Sequence, residues 1–283
     1  MFLHCTTRKV SINRVLTRGL QTTSNADPNT SSRLINISLI GRPASGKGTY
    51  GSLLAEKLKI PLVIVGDVLR DHVAKGTEIG IAIENCQKEG KLADDELVTA
   101  ALLSHLKSLN LRTAYESNNV DNDIQFGYIL DGYPRSLVQA ETMYESSSLP
   151  WPKEFEITFA VDIDVPDEIC IDKMLGRRKC TICKKAFNVA DVNTKDGYVM
   201  PPNLPNPYPC TECDMDKDWE RRLDDTEDIM TARLKEFHKI SSPVVDFFGQ
   251  KNKLVKFQPF NGIADMPLME DLIRKRAMKE IVK

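Results

Sequence analysis

Apolar residues gather in short runs along this chain, and segments with helical spacing separate them. Leu34–Ile40 reads as a first strand and leads straight into the glycine-rich string Gly41-Arg-Pro-Ala-Ser-Gly-Lys-Gly-Thr49. A helical pattern follows, with Leu53, Leu54 and Leu58 along one face. Pro61–Val65 predicts a second strand, and Val68 to about Lys107 alternates helix and loop. Gly127–Asp131, Ile157–Ile163 and Leu254–Phe257 predict three more strands. Strands separated by helical segments imply βαβ units, hence an α/β fold with a doubly wound, five-stranded parallel sheet. Thr113–Gln125 is polar and reads as a surface loop, while Cys180–Trp219 is rich in Pro, Asn, Asp and Cys and reads as a small inserted subdomain.

Composition changes that picture only at the N-terminus. The 283 residues are 41% hydrophobic and 28% charged, with a formal net charge of −2, which points to neither nucleic acid nor a membrane surface as a partner. No apolar run approaches the ~18 residues of a membrane helix. Met1–Ala26, however, contains no Asp or Glu. It spreads Arg8, Lys9, Arg14 and Arg18 among Val10, Ile12, Val15, Leu16 and Leu20, with many hydroxyl residues between. Residues 1–26 therefore read as an organelle transit peptide, with the mitochondrial matrix expected from the arginine content and the plastid as the alternative. A tail that carries no address is the plainer reading.

The string Gly41-x-x-x-x-Gly46-Lys47 lies between a strand and a helix, which is the setting of a phosphate-binding loop. Its glycines let backbone N–H groups turn inward around phosphate oxygens, and the following helix N-terminus adds partial positive charge. Lys47 supplies a mobile ammonium. The general motif places Ser or Thr directly after the lysine to hold Mg²⁺; here Gly48 intervenes before Thr49. Asp131 ends a strand, where carboxylates of α/β folds face the ligand crevice, and can hold Mg²⁺ through water. Arg135 offers a planar fork for phosphates, and Gln139 a donor and an acceptor for a base edge. A turn-forming aspartate, a surface arginine and a solvated lysine are the plainer readings of these residues taken singly.

Taken together, the strings identify a resemblance. Gly41-x-Pro43-x-x-Gly46-Lys47-Gly48-Thr49 resembles the phosphate loop of adenylate kinases, with Ala44 where that family usually has glycine. Gly66-Asp-Val-Leu-Arg70, Gly90-Lys-Leu-Ala-Asp-Asp-Glu-Leu-Val98, Asp131-Gly-Tyr-Pro-Arg135 with Gln139 and Ala140, Gly176-Arg-Arg178, Arg222-Leu-Asp-Asp225 and Arg233 match in order from about Asn36 to Gly262. The resemblance implies one kinase domain over residues 33–283, with an AMP-binding helical segment at 66–95 and a lid at 177–219. It implies that Gly41, Ala44, Ser45, Gly46, Lys47, Gly48, Thr49, Lys173 and Arg177 bind ATP. It implies that Val65, Arg70, Lys91, Leu92, Ala93, Gly132, Arg135, Gln139, Arg222 and Arg233 bind AMP. Lys47, Asp131, Arg135, Arg177, Arg222 and Arg233 would serve catalysis, since phosphoryl transfer asks for in-line positioning and neutralisation of spreading negative charge. A methyl at Ala44 is tolerable if its backbone stays in an ordinary region. Val65 stands where the family presents a threonine to the AMP base, which shifts base discrimination toward Gln139 and backbone groups. Lys173 stands where an arginine typically stacks on the donor base, and lysine stacks less well.

Of seven cysteines, four form Cys180-x-x-Cys183 and Cys210-x-x-Cys213. Two such knuckles in a polar insert predict a closed, structural Cys₄ zinc site, with redox pairs as the rival reading. Cys5 falls in the leader, and Cys86 and Cys170 read as small core side chains. His4, His72, His105 and His238 form no metal or triad pattern. The reading is therefore a monomeric kinase that moves a phosphoryl group from Mg-ATP to AMP. A GTP-using or other nucleoside monophosphate kinase is the near alternative, and a non-catalytic nucleotide-binding regulator the distant one.

Overall fold

A computed structural model describes residues 34–89, 93–109, 124–145, 151–204, 214, 217–222 and 225–282. In chain order the main elements are β1 (Ile35–Ile40), α1 (Lys47–Leu58), β2 (Leu62–Ile64), α2 (Val65–Ala74), α3 (Glu78–Lys88), α4 (Asp95–Ser108), β3 (Phe126–Asp131), α5 (Leu137–Glu145), β4 (Phe159–Ile163) and α6 (Asp167–Leu175). They continue with β5 (Arg177–Cys180), β6 (Ala186–Asn188), β7 (Val192–Asn193), β8 (Val199–Met200), β9 (Trp219–Glu220), α7 (Glu227–Glu236), α8 (Ser242–Gln250), β10 (Leu254–Phe257) and α9 (Met266–Ile281). A π turn, Phe237–Ser241, joins α7 to α8.

The five-stranded parallel sheet runs β10-β4-β1-β3-β2, so β1 is its middle strand and chain order reverses there. Such a reversal is where doubly wound sheets bind ligands, outside the carboxyl ends of the strands. All six residues of β1 and all five of β4 are buried, as strands covered on both faces require. The chain divides into two compact units.

The first unit runs to Ser38 and takes in Ala55–Thr158. Its helices begin where the sequence supplies caps. Thr77 Oγ1 accepts from Gly80 N at 2.9 Å to start α3, and Asp94 Oδ1 accepts from Leu97 N at 2.8 Å to start α4. Leu97, Ala100, Ala101, Leu102, Leu103 and Leu106 of α4 are buried, so this helix is the apolar centre of the unit. The expected strand Pro61–Val65 is shorter: Val65, 3% exposed, opens α2 instead of ending β2. A β-branched run favours extended backbone, but here the helix takes its last member into the core.

The second unit comprises Leu39–Leu54 and Phe159–Lys283. Tyr50 of α1 meets Phe257 of β10 edge-to-face, ring centres 5.3 Å apart, and Met269, Ile273 and Ala277 of α9 are buried. The insert after α6, which lacks any long sequence period, nonetheless carries short strands. β5 pairs antiparallel with β6 and β9, and Phe187 packs on Trp219 at 4.3 Å. The β7–β8 hairpin docks on the stretch after β10: Val199 N donates to Phe260 O at 2.7 Å, and the Tyr198 and Phe260 rings stack at 4.6 Å. Lys91, Leu92, Asp224, Cys210, Cys213, the leader 1–26 and nearly all of the loop at 113–125 lie outside the described residues.

Candidate functional site

The phosphate loop follows β1 directly, in the second unit. Gly41 and Gly46 hold φ of +134° and +102°, and a Cβ on Gly41 would sit 2.6 Å from Ile163 O. Only glycine fits such a position. Ala44 departs from expectation. Its φ is +62°, the left-handed region, so its methyl is carried at a cost and not in an ordinary conformation. Lys47, the first residue of α1, donates Nζ to Gly41 O at 2.8 Å and to Arg42 O at 2.5 Å, which folds its ammonium over the loop. Ser45 Oγ is buried and has no hydrogen-bond partner among the described residues. Gly48 and Thr49 are exposed on the first turn of α1.

Cations gather in the same unit. Arg177, the first residue of β5, lies with Nη1 3.4 Å from Asp225 Oδ1. Burial pushes the Arg177 guanidinium below its ordinary pKa, Asp225 draws it back, and the positive fields of Arg222 and Arg233 lower it again. Arg222 and Arg233 thus both bear on Arg177, a concentration of charge that suits a polyanion. Arg178 instead donates to Leu175 O at 2.8 Å and to Arg177 O at 2.7 Å, a backbone clamp. Lys173 on α6 is half-buried, and burial lowers its pKa.

The first unit holds the remaining residues. Asp131 closes β3 opposite Ile64 of β2. Gly132 turns at φ +85°, and Arg135 Nε donates to its carbonyl at 2.9 Å. Arg135 is exposed. Its backbone N donates to Gln139 Oε1 at 2.7 Å, and Gln139 Nε2 donates to Asp95 Oδ1 at 2.6 Å. Gln139, expected at a base edge, thus has one bond at each end of its amide to the described residues and is 5% exposed. Asp95 also accepts from Ser136 Oγ at 2.9 Å, so this first residue of α4 orders the segment that carries Arg135. Nothing in the acidic run Asp94-Asp95-Glu96 marked it out. Arg70 is exposed on α2 and pairs with Asp67 one turn away. Val65 is buried and Ala93 half-buried.

Cys180 and Cys183 bracket a tight turn. Cys180 Sγ accepts from Ile182 N at 3.3 Å and from Cys183 N at 3.4 Å, a pair of donors that suits a thiolate. Among the described residues no group of three or more His, Cys, Asp and Glu is placed to hold a metal. Cys86 and Cys170 are buried, as expected, and burial pushes the Cys170 thiol up to about 12. No helix among the described residues is long and apolar enough to cross a membrane.

A strand, phosphate loop and helix on the middle strand of a parallel sheet, with arginines massed in the same unit, define a P-loop protein built to handle phosphates. The comparisons narrow the class. The adenylate kinase family model matches residues 39–253. The chain is 33% identical over 232 residues to a GTP:AMP phosphotransferase of Plasmodium falciparum (isolate 3D7), covering 82% of this chain and 92% of that one. It is 33% identical over 231 residues to adenylate kinase 1, chloroplastic, of Arabidopsis thaliana (80% and 72%) and 31% identical over 241 residues to an adenylate kinase of Methanothrix thermoacetophila (85% and 97%). The chain belongs to the adenylate kinase family and is a nucleoside monophosphate kinase, a phosphotransferase.

Proposed function

We propose that the chain catalyses reversible phosphoryl transfer from Mg-ATP to AMP, giving two ADP. The observation that carries this reading is the phosphate loop with Lys47 folded over it, in one unit with Arg177 and the Arg222 and Arg233 that bear on it. Gly41, Ala44, Ser45, Gly46, Gly48 and Thr49 cradle the donor phosphates. Arg70 and Arg135, exposed in the first unit, take the AMP phosphate, with Val65, Lys91, Leu92, Ala93, Gly132 and Gln139 around the nucleoside. Lys47 and the arginines neutralise the charge that spreads over the transferring group. Mg²⁺ arriving with the nucleotide supplies further neutralisation of the phosphates. Asp131, a hard carboxylate at a strand end, suits it through water.

GTP is the second donor reading. It is favoured by the half-buried Lys173 in place of a stacking guanidinium, and by the Plasmodium relative named as a GTP:AMP phosphotransferase. The insert at 177–219 is the lid, 66–95 the AMP-binding segment, and the protein a monomer. Cys180, Cys183, Cys210 and Cys213 hold one structural zinc ion; the two N–H groups on Cys180 Sγ support thiolate character there. Residues 1–26 direct the chain to the mitochondrial matrix. The plastid is the alternative, since relatives from Arabidopsis thaliana and Oryza sativa carry chloroplastic names.

The test is ADP formation by the purified chain from Mg-ATP plus AMP, with GTP replacing ATP, and UMP or CMP replacing AMP, in parallel. Rapid turnover with ATP and AMP is expected. Turnover with GTP alone would move the donor assignment. Nucleotide binding without turnover for any pair would sink the enzyme reading in favour of a regulator.

A further inference from the structure

Arg42 follows the first glycine of the phosphate loop, and the phosphate chemistry above makes no use of its side chain. The guanidinium is half-buried and spans two carboxylates: Nη1 donates to Asp164 Oδ1 at 2.6 Å and Nε to Asp167 Oδ1 at 2.7 Å. Asp164 comes directly after β4, and Asp167 opens α6. Each carboxylate has a second partner. Gln258 Nε2 donates to Asp164 Oδ2 at 3.2 Å, and His238 Nε2 lies 2.8 Å from Asp167 Oδ2. The Phe237 ring centre stands 6.0 Å from the guanidinium carbon. One side chain thus joins the loop to the end of β4, the start of α6, the π turn and the stretch after β10.

The backbone of the same residue faces the reacting end of the loop. Arg42 O accepts Lys47 Nζ at 2.5 Å and Ser45 N at 3.2 Å. The torsions of a residue set the direction of its carbonyl, and a guanidinium fork bound at two points leaves those torsions little freedom. We infer that Arg42 is a positioning residue: its clamp on Asp164 and Asp167 aims the Arg42 carbonyl and so fixes where the Lys47 ammonium waits for the donor triphosphate. The clamp also sets a positive charge against two carboxylates beside a loop that must receive a polyanion. The donors lie 122 and 125 residues from their acceptors in sequence, so the relationship is visible only in the fold.

The inference rests on the phosphate-loop reading, and triphosphate binding tests it apart from turnover. The full chain and its Arg42→Ala and Arg42→Lys variants would be titrated with Mg-ATP and, separately, with AMP, following the nucleotide-induced rise in Tm. Triphosphate affinity should fall about 10-fold to 100-fold in Arg42→Ala, as for other losses of positioning, with AMP affinity unchanged. Arg42→Lys, a single charge without the fork, should recover only part of it. Asp164→Asn should reproduce part of the loss and add little on top of Arg42→Ala, and it serves as the test if Arg42→Ala does not fold. Equal triphosphate affinity in all variants overturns the inference. So does a parallel fall in triphosphate and AMP affinity together with Tm, which a merely structural role would give. A wild-type chain that turns over no nucleotide pair while Arg42→Ala still loses triphosphate binding would sink the kinase reading and leave the role of Arg42 standing.

Discussion

Arg177 and Asp225 form an uneven pair: one carboxylate oxygen lies 3.4 Å from the guanidinium, and the other, Oδ2, is buried with no hydrogen-bond partner among the described residues. The Asp225 side chain has no solvent exposure, so its charge depends on the surrounding arginines for compensation. Asp225→Ala would leave Arg177 half-buried in the positive fields of Arg222 and Arg233 without the carboxylate that faces it. Chemical denaturation should show a loss of about 2–4 kcal/mol, toward the low end because Arg177 keeps some solvent. Turnover should fall more than AMP affinity. An unchanged unfolding midpoint would mean that the pair is incidental.

Ala44 sits at φ +62° in the phosphate loop. A left-handed L-residue costs about 1–2 kcal/mol, while glycine returns about 0.4–1 kcal/mol of unfolded-chain entropy. Ala44→Gly should therefore stabilise by about 0.5–1 kcal/mol in urea unfolding. Valine at the same place should depress donor binding, because a β-branched residue resists this conformation strongly.

Gly132 combines φ +85° with crowding: a Cβ there would lie 2.9 Å from Arg135 Nη2. Gly132→Ala should displace the guanidinium and lower kcat/KM for AMP by about 10²-fold. Donor binding to the phosphate loop should be untouched. Equal losses for both nucleotides would place Gly132 in general folding and not in aiming Arg135.

Asp162 on β4 is a buried carboxylate in parallel register with Lys256. Burial, then the field of Asp164, pushes its pKa from 3.8 up to about 6, against the pull of Arg42, Lys256 and Lys47. Between those pH values the folded chain holds a proton that the unfolded chain releases. Stability therefore falls as pH rises through that window and stays lower above it, by about 1–3 kcal/mol. Asp162→Asn should flatten this part of the pH profile and be the more stable form at pH about 8. A parallel profile in the variant would acquit Asp162.

Metal analysis of the purified chain should find about one zinc ion per molecule, as a four-cysteine site requires. Cys180→Ser should lower zinc content and the Tm of the insert, and a chelator should do the same to the parent chain. Zinc content that ignores Cys180 would remove the assignment.

Much of this was legible in one dimension. The five strands, the loop Gly41–Thr49 and Asp131 at a strand end follow from apolar runs and glycine spacing, which are local signals. What escaped depends on distance along the chain or on backbone torsion. The left-handed Ala44 is invisible because alanine names no conformation. Asp95 reaches Ser136 and Gln139 from 41 and 44 residues away, and Arg42 reaches Asp164 and Asp167 from farther still. The hairpin of β7 and β8 has strands of two residues, too short for any period to register.

That hairpin has a mechanical consequence. A flap joined to its base only where the chain enters and leaves, near Arg177 and Arg222, could swing about the single line through those two points. Val199 and Tyr198 moor the insert at a third point, Phe260, and Met200 lies against Gly262, where an added Cβ would come within 3.3 Å of it. The described contacts thus tie the insert to its own unit at Phe260 and Gly262 and also at the end of α6, where Asn188 Nδ2 donates to Lys173 O and Val189 N to Gly176 O, and any swing of the whole insert would have to break them.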